Sequence, residues 1–281
     1  MEFRGSMPKA GRCHICGKYR RLTDEHIPPQ SALNRHPSCL YTFEEALRQD
    51  DQMPWEFEGK KGRPMGKGIL FPRLCMECNC ELLGSNYVPA YSEFVRQTYI
   101  QLERGLRFMP DGFGTFEYHA VYPLRIVKQV VAMFLGINAP EIGDAHPELR
   151  DFVMRTEQRG VSEDKYGLNS YVAGGGLLRY CGLSVLLSGF DPDSGRSTRA
   201  VSELATFPMG FLLELDPKKK ETRLTDILPF TNKYYLAEKC DIRVRLPFRE
   251  VNTMFPLDYR SKKEVTVDYL RTLLDQAMGK Y

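Results

Sequence analysis

Residues 12–34 read RCHICGKYRRLTDEHIPPQSALN, and residues 74–84 read LCMECNCELLG. Each segment holds a CxxC pair: Cys13 with Cys16, and Cys75 with Cys78. A CxxC turn aims two thiolates at one point, and two such turns complete the tetrahedral sulfur set that suits zinc. A redox pair, or thiols that meet by chance in a core, are the competing readings. Two matched pairs in one module favour the metal. The long chain between the pairs does not defeat this reading, because loop length adds little to closure entropy. A small module with few large apolar residues also needs such a staple. His14, Cys39 and Cys80 read more simply as ordinary exposed or half-buried residues.

Between the two pairs lies TDEHIPP, residues 23–29. Alone, an Asp-Glu-His run is an ordinary charged turn. Between two cysteine knuckles it reads as a site that the knuckles position. Pro28 and Pro29 forbid a helix directly after His26, so the histidine sits on a strand or loop. Neighbouring side chains of an extended segment point oppositely, so only one of Asp24 and Glu25 faces the site.

In the order CxxC, then EHIPP, then CxxCN, the first third of the chain resembles the HNH endonucleases, the ββα-metal nucleases often braced by paired cysteines. The resemblance implies a His26 general base and a catalytic divalent cation, Mg2+ or another, held by Glu25 and the side-chain oxygen of Asn79. It implies a structural zinc on Cys13, Cys16, Cys75 and Cys78, and DNA as substrate. The residue types suit that chemistry. A histidine titrating near neutrality can take a proton from water, and a divalent cation on hard oxygen ligands can neutralise a scissile phosphate. The family's middle asparagine has no counterpart in GKGILFPRLC, residues 66–75, and its lysine after CxxCN is missing from CNCELLGSN. Asn34 and Asn86 are the residues that could stand in for the asparagine. A catalytically degenerate zinc module that binds nucleic acid or a protein is the alternative, and RNA could replace DNA, because 2′-hydroxyl contacts are not legible in sequence.

The composition agrees with a folded, water-soluble chain: of 281 residues, 42% are hydrophobic and 27% charged, which is enough apolar material for a core. A net charge of +3 excludes an overtly basic nucleic-acid binder, so any phosphate footprint must be local. Lys18, Arg20, Arg21, Lys60, Lys61, Arg63, Lys67 and Arg73 supply one, and phosphate contacts of this kind give affinity without sequence choice. No apolar run is long enough for a membrane span and no secretory signal opens the chain, so a cytoplasmic protein is expected. MEFRGS at residues 1–6 reads as vector-derived. A defence or restriction role follows only by analogy.

The expected fold class is α+β: an N-terminal ββα-metal zinc module at residues 1–105 and a mixed α+β domain at 106–281. The second domain would serve sensing, targeting, a protein partner or oligomerisation. Residues 36–68 read as an insertion, with a short helix in EEALRQDD and a basic loop in GKKGRPMGKG. CMECNCELLG reads as a short helix stopped at Gly84, followed by a helix through residues 90–108. Residues 122–138 predict an amphipathic helix with Val127, Val130, Val131, Phe134 and Leu135 on one face, and 146–160 another helix ended by Gly160. Strands are expected in 177–189, 207–215 and 241–248, and a last helix over 265–279. AGGGLLRY lacks phosphate-loop spacing, and FDPDSGRS is a turn and not a calcium loop.

Overall fold

The structure is a computed structural model describing residues 10–47, 52–191, 195–218 and 221–278. The expectations for MEFRGS, for the end of EEALRQDD and for the centre of FDPDSGRS fall outside those residues.

The chain starts with β1 (Ala10–Arg12), the first cysteine knuckle and β2 (Tyr19–His26). The insertion follows: β3 (Ser38–Leu40), α1 (Phe43–Leu47) and β4 (Arg63–Met65). β3 and β4 pair antiparallel, so GKKGRPMGKG is partly strand and not wholly loop. β5 (Leu70–Cys75) then returns beside β2, giving a three-stranded sheet ordered β1-β2-β5. The β2–β5 register sets Glu25 opposite Phe71 and His26 opposite Leu70, with an irregularity between Thr23 and Asp24.

Helix follows at once. A π-helical segment (Glu77–Gly84) leads into α2 (Val88–Glu103). Gly84 does not stop it: the Tyr87 amide donates to the Leu83 carbonyl, and Asn86 Nδ2 donates to the Leu82 carbonyl at 2.9 Å. These bonds carry the chain across the glycine and override its low helix propensity. The result is a β-β-helix unit, the α+β arrangement expected of the first third.

The remainder is built on a second sheet. β6 (Phe113–Val121) precedes α3 (Pro123–Ile137), α4 (Glu141–Ala145) and α5 (Pro147–Met154). β7 (Tyr166–Gly175), β8 (Arg179–Asp191), β9 (Gly195–Thr206), β10 (Met209–Leu215), β11 (Thr225–Asp226), α6 (Phe230–Lys233), β12 (Cys240–Val251) and α7 (Lys262–Ala277) complete it. The strand order is β6-β12-β7-β10-β9-β8, with β11 also on β7. β12 runs antiparallel to β6 and parallel to β7, and the other pairings are antiparallel.

α3 differs from the expectation. Every residue from Leu124 to Gly136 except Arg125 is buried, Lys128 and Gln129 included. A helix apolar nearly all round belongs in an interior, and this one packs against α2, α5, α6, β5, β8 and β9. One cluster of buried side chains runs from Cys13, Cys75 and Cys78 through Phe94, Val127 and Phe134 to Phe211 and Leu246, across the boundary expected near residue 105. Arg12–Asp144 (2.6 Å) and Arg150–Asp144 (2.8 Å) also join the first knuckle to α4 and α5. Among the described residues, no helix is long and apolar enough to cross a membrane.

Candidate functional site

The two knuckles come together. The ligand atoms of Cys13, Cys16, Cys75 and Cys78 all lie within 4.8 Å of one another. Cys16 Sγ and Cys75 Sγ are 3.8 Å apart. A tetrahedron with metal–sulfur bonds of about 2.3 Å has edges of about 3.8 Å, so the donor set has the size a zinc site needs. It is the one group of three or more His, Cys, Asp or Glu side chains among the described residues that could hold a metal ion.

Local geometry makes the cluster. The Cys13 amide donates to Lys18 and the Gly17 amide to the Cys13 carbonyl, which closes the first knuckle. Gly17 turns the chain at φ +72°, a conformation other residues seldom adopt. The Cys75 amide donates to Cys13 Sγ at 3.4 Å, the kind of outer contact that steadies a thiolate ligand. Crowded sulfurs cannot all ionise unaided. A hydrogen bond from Cys78 holds Cys13 down to about 4, while burial pushes Cys75 up to about 12 and the sulfur pair with Cys13 pushes Cys78 far up. A cation among them removes that conflict.

Beside this brace, β2 carries Asp24, Glu25 and His26. Asp24 is exposed, whereas Glu25 is 6% exposed, so the alternation selects Glu25 as the enclosed carboxylate. No hydrogen bond or ion pair reaches it from any described residue, and burial pushes its pKa from 4.5 up to about 8. His26 is half-buried, and its Nε2 lies 3.2 Å from the Lys67 carbonyl. A carbonyl only accepts, so Nε2 donates in this contact and Nδ1 is left facing away from it. Asn79, on the π-helical segment, donates through Nδ2 to Thr23 Oγ1 (2.9 Å) and to the Asp24 carbonyl (3.2 Å). Its Oδ1 has no partner among the described residues.

Asn34 proves to be a structural tie that sequence reasoning did not place. Its Nδ2 donates to the carbonyls of Pro28 (2.7 Å) and Ile69 (2.8 Å), and its Oδ1 accepts the Ile69 amide at 2.7 Å. It thereby fastens the loop after His26 to the start of β5, next to the Lys67 carbonyl that holds the imidazole. Gly68 permits the approach: a Cβ there would lie 2.1 Å from the Asn34 carbonyl oxygen. The glycine was the one sequence signal of this contact. Asn86, the other substitute considered, only bonds back to Glu81 and Leu82.

The basic set divides. Arg73 donates to the Gly136 and Ile137 carbonyls at 2.8 and 2.7 Å, capping α3, and Lys60 donates to Ala46 at 3.1 Å. Arg20 pairs with Glu77. Lys18, Arg21, Lys61, Arg63 and Lys67 remain exposed. His14, Cys39 and Cys80 stay outside the sulfur cluster. Comparison of the chain with protein-family models, with curated proteins and with solved structures gave no match.

Proposed function

We propose that the N-terminal module is a metal-dependent nuclease centre that hydrolyses phosphodiester bonds of DNA. The observation that carries the reading is Glu25: a buried carboxylate without a partner among the described residues, directly before a histidine whose Nε2 donates to the Lys67 carbonyl. Burying an unpaired carboxylate is costly, and such groups concentrate where a ligand completes them. Its carboxylate and Asn79 Oδ1 are the hard oxygen donors a cation such as Mg2+ requires. A divalent ion held there would neutralise charge on the scissile phosphate and the departing oxygen.

The chain's own residues do the rest. His26 Nδ1 takes the proton of an attacking water, while the Lys67 carbonyl keeps the ring in place. Asn34 is a positioning residue, acting through Gly68 and Ile69. A structural zinc on the four cysteines fixes β2 against the helix that carries Asn79. Lys18, Arg21, Lys61, Arg63 and Lys67 supply phosphate contacts, and the same centre would serve for RNA.

Titration of Mn2+ into the zinc-loaded protein tests the reading by calorimetry. One additional site is expected in the wild type, retained in His26→Ala and lost in Glu25→Gln. Equal binding by Glu25→Gln, or none by the wild type, contradicts it, and the latter result favours a module that only binds.

A further inference from the structure

Between the loop that follows His26 and the second sheet lies a cavity of about 330 Å³ that the centre above does not use. Three aromatic residues wall it: Tyr99 of α2, Tyr180 of β8, and Phe207 between β9 and β10. Tyr99 and Phe207 meet edge to face, with centroids 6.1 Å apart. Leu33, Leu178 and Phe207 are all large apolar residues left exposed, and all three line this one opening. His36, Ser38 and Thr206 add polar side chains to the lining. Leu33 adopts φ +67°, a left-handed backbone that a branched side chain rarely accepts and that clusters at ligand sites.

We propose that this cavity receives one unstacked nucleobase of the strand lying in the candidate centre, a proposal that rests on reading the N-terminal module as acting on nucleic acid. Aromatic walls offer a base its stacking surface whatever its sequence. A base edge also carries donors and acceptors for the polar side chains of the lining, His36, Ser38 and Thr206. An acyl chain would leave those polar groups unused, and a free phosphate would leave the aromatic faces of Tyr99 and Phe207 unused. Pro28, part of the wall, is two residues from His26, which puts their Cα atoms at most about 7.6 Å apart. Asn34 fastens this wall to the loop that holds the imidazole. Bases inside a duplex are stacked and cannot enter, so the chain should favour single-stranded or locally unpaired substrate.

Anisotropy of a labelled 12-mer, single-stranded or as its blunt duplex, measured with zinc-loaded full chain without Mg2+, tests this. Single-strand binding should exceed duplex binding, and Phe207→Ala should weaken only the former, by on the order of tenfold. Phe207 is 52% exposed, so an unchanged melting temperature checks that the variant stays folded. His36→Ala, at an exposed residue of the lining, should alter the ranking among dA, dC and dT homopolymers. Unchanged single-strand binding in Phe207→Ala together with unchanged ranking in His36→Ala overturns the proposal, even where the wild type cleaves and His26→Ala does not. Strand binding that needs Phe207, without cleavage by any form, upholds the cavity and removes the nuclease reading.

Discussion

Glu203 in β9 is wholly enclosed, and Glu25 in β2 is almost equally so. Around Glu203 the protein provides for the charge: Arg179 at 2.9 Å, the Tyr171 hydroxyl, and the Leu257 amide at 2.8 Å. Arg179 in turn donates to the Thr253 and Asp258 carbonyls. Around Glu25 no described residue does so. Two carboxylates of similar burial therefore differ in kind. One is a finished structural network, and the other is an unmet demand beside a histidine. Burial alone does not mark a functional group; burial without a partner, next to chemistry that could use it, does.

The contrast holds only while the sulfur brace keeps β2 against the helix. Removing the metal, by a strong chelator or by Cys78→Ser, should cost the most, on the order of 10 kcal/mol of apparent folding free energy. Metal counting beside a thermal melt reads this out. A melt indifferent to zinc content would mean that the four thiols are not a structural site.

Next comes the pair itself. Glu203→Ala leaves Arg179 buried and uncompensated and should destabilise the fold by about 3–5 kcal/mol. Glu25→Gln removes a carboxylate that has no ion pair to lose, and should leave the stability of the zinc-loaded protein, without added Mg2+ or Mn2+, the same or higher. Denaturant unfolding of both variants breaks the comparison if the losses are equal.

Lys128 sharpens it with a charge of the other sign. It is fully buried in α3, donates to the carbonyls of Phe152 and Arg155 at the end of α5, and lies 4.1 Å from the Phe152 ring centroid. Burial nevertheless lowers its pKa from 10.5 to about 8. The unfolded chain therefore binds the proton more tightly, and stability should rise with pH between about 8 and 10.5, by about 3 kcal/mol. The effect is smaller where the unfolded state is compact. Lys128→Met should flatten the slope in that window, as urea midpoints across pH would show.

How much of this was legible in the sequence depends on range. The cysteine pairs were, because tetrahedral thiolate binding imposes short spacings. The order of Glu25, His26 and Asn79 around them was legible as a pattern. Asn34 was not: its partner Ile69 lies beyond the whole insertion, and only the tertiary fold brings them together. β6, β7 and β9 were not anticipated. β7 carries Asn169 and Ser170 in its buried centre, where polar residues disguise an interior strand. Asn169 is accommodated by Glu214 at 3.0 Å, a contact no local pattern contains. The helix of residues 122–138 was recognised, but its polar positions suggested a solvent face that α5 and α6 in fact cover.

The account turns on Glu25 and His26 acting on phosphodiesters, and plasmid cleavage by zinc-loaded protein measures that directly. Wild-type protein should cut only when Mg2+ is added, and His26→Ala should slow cutting by about 10²–10⁴-fold while keeping its zinc. Cutting that is equally fast in His26→Ala, or that needs no added divalent ion, would contradict it.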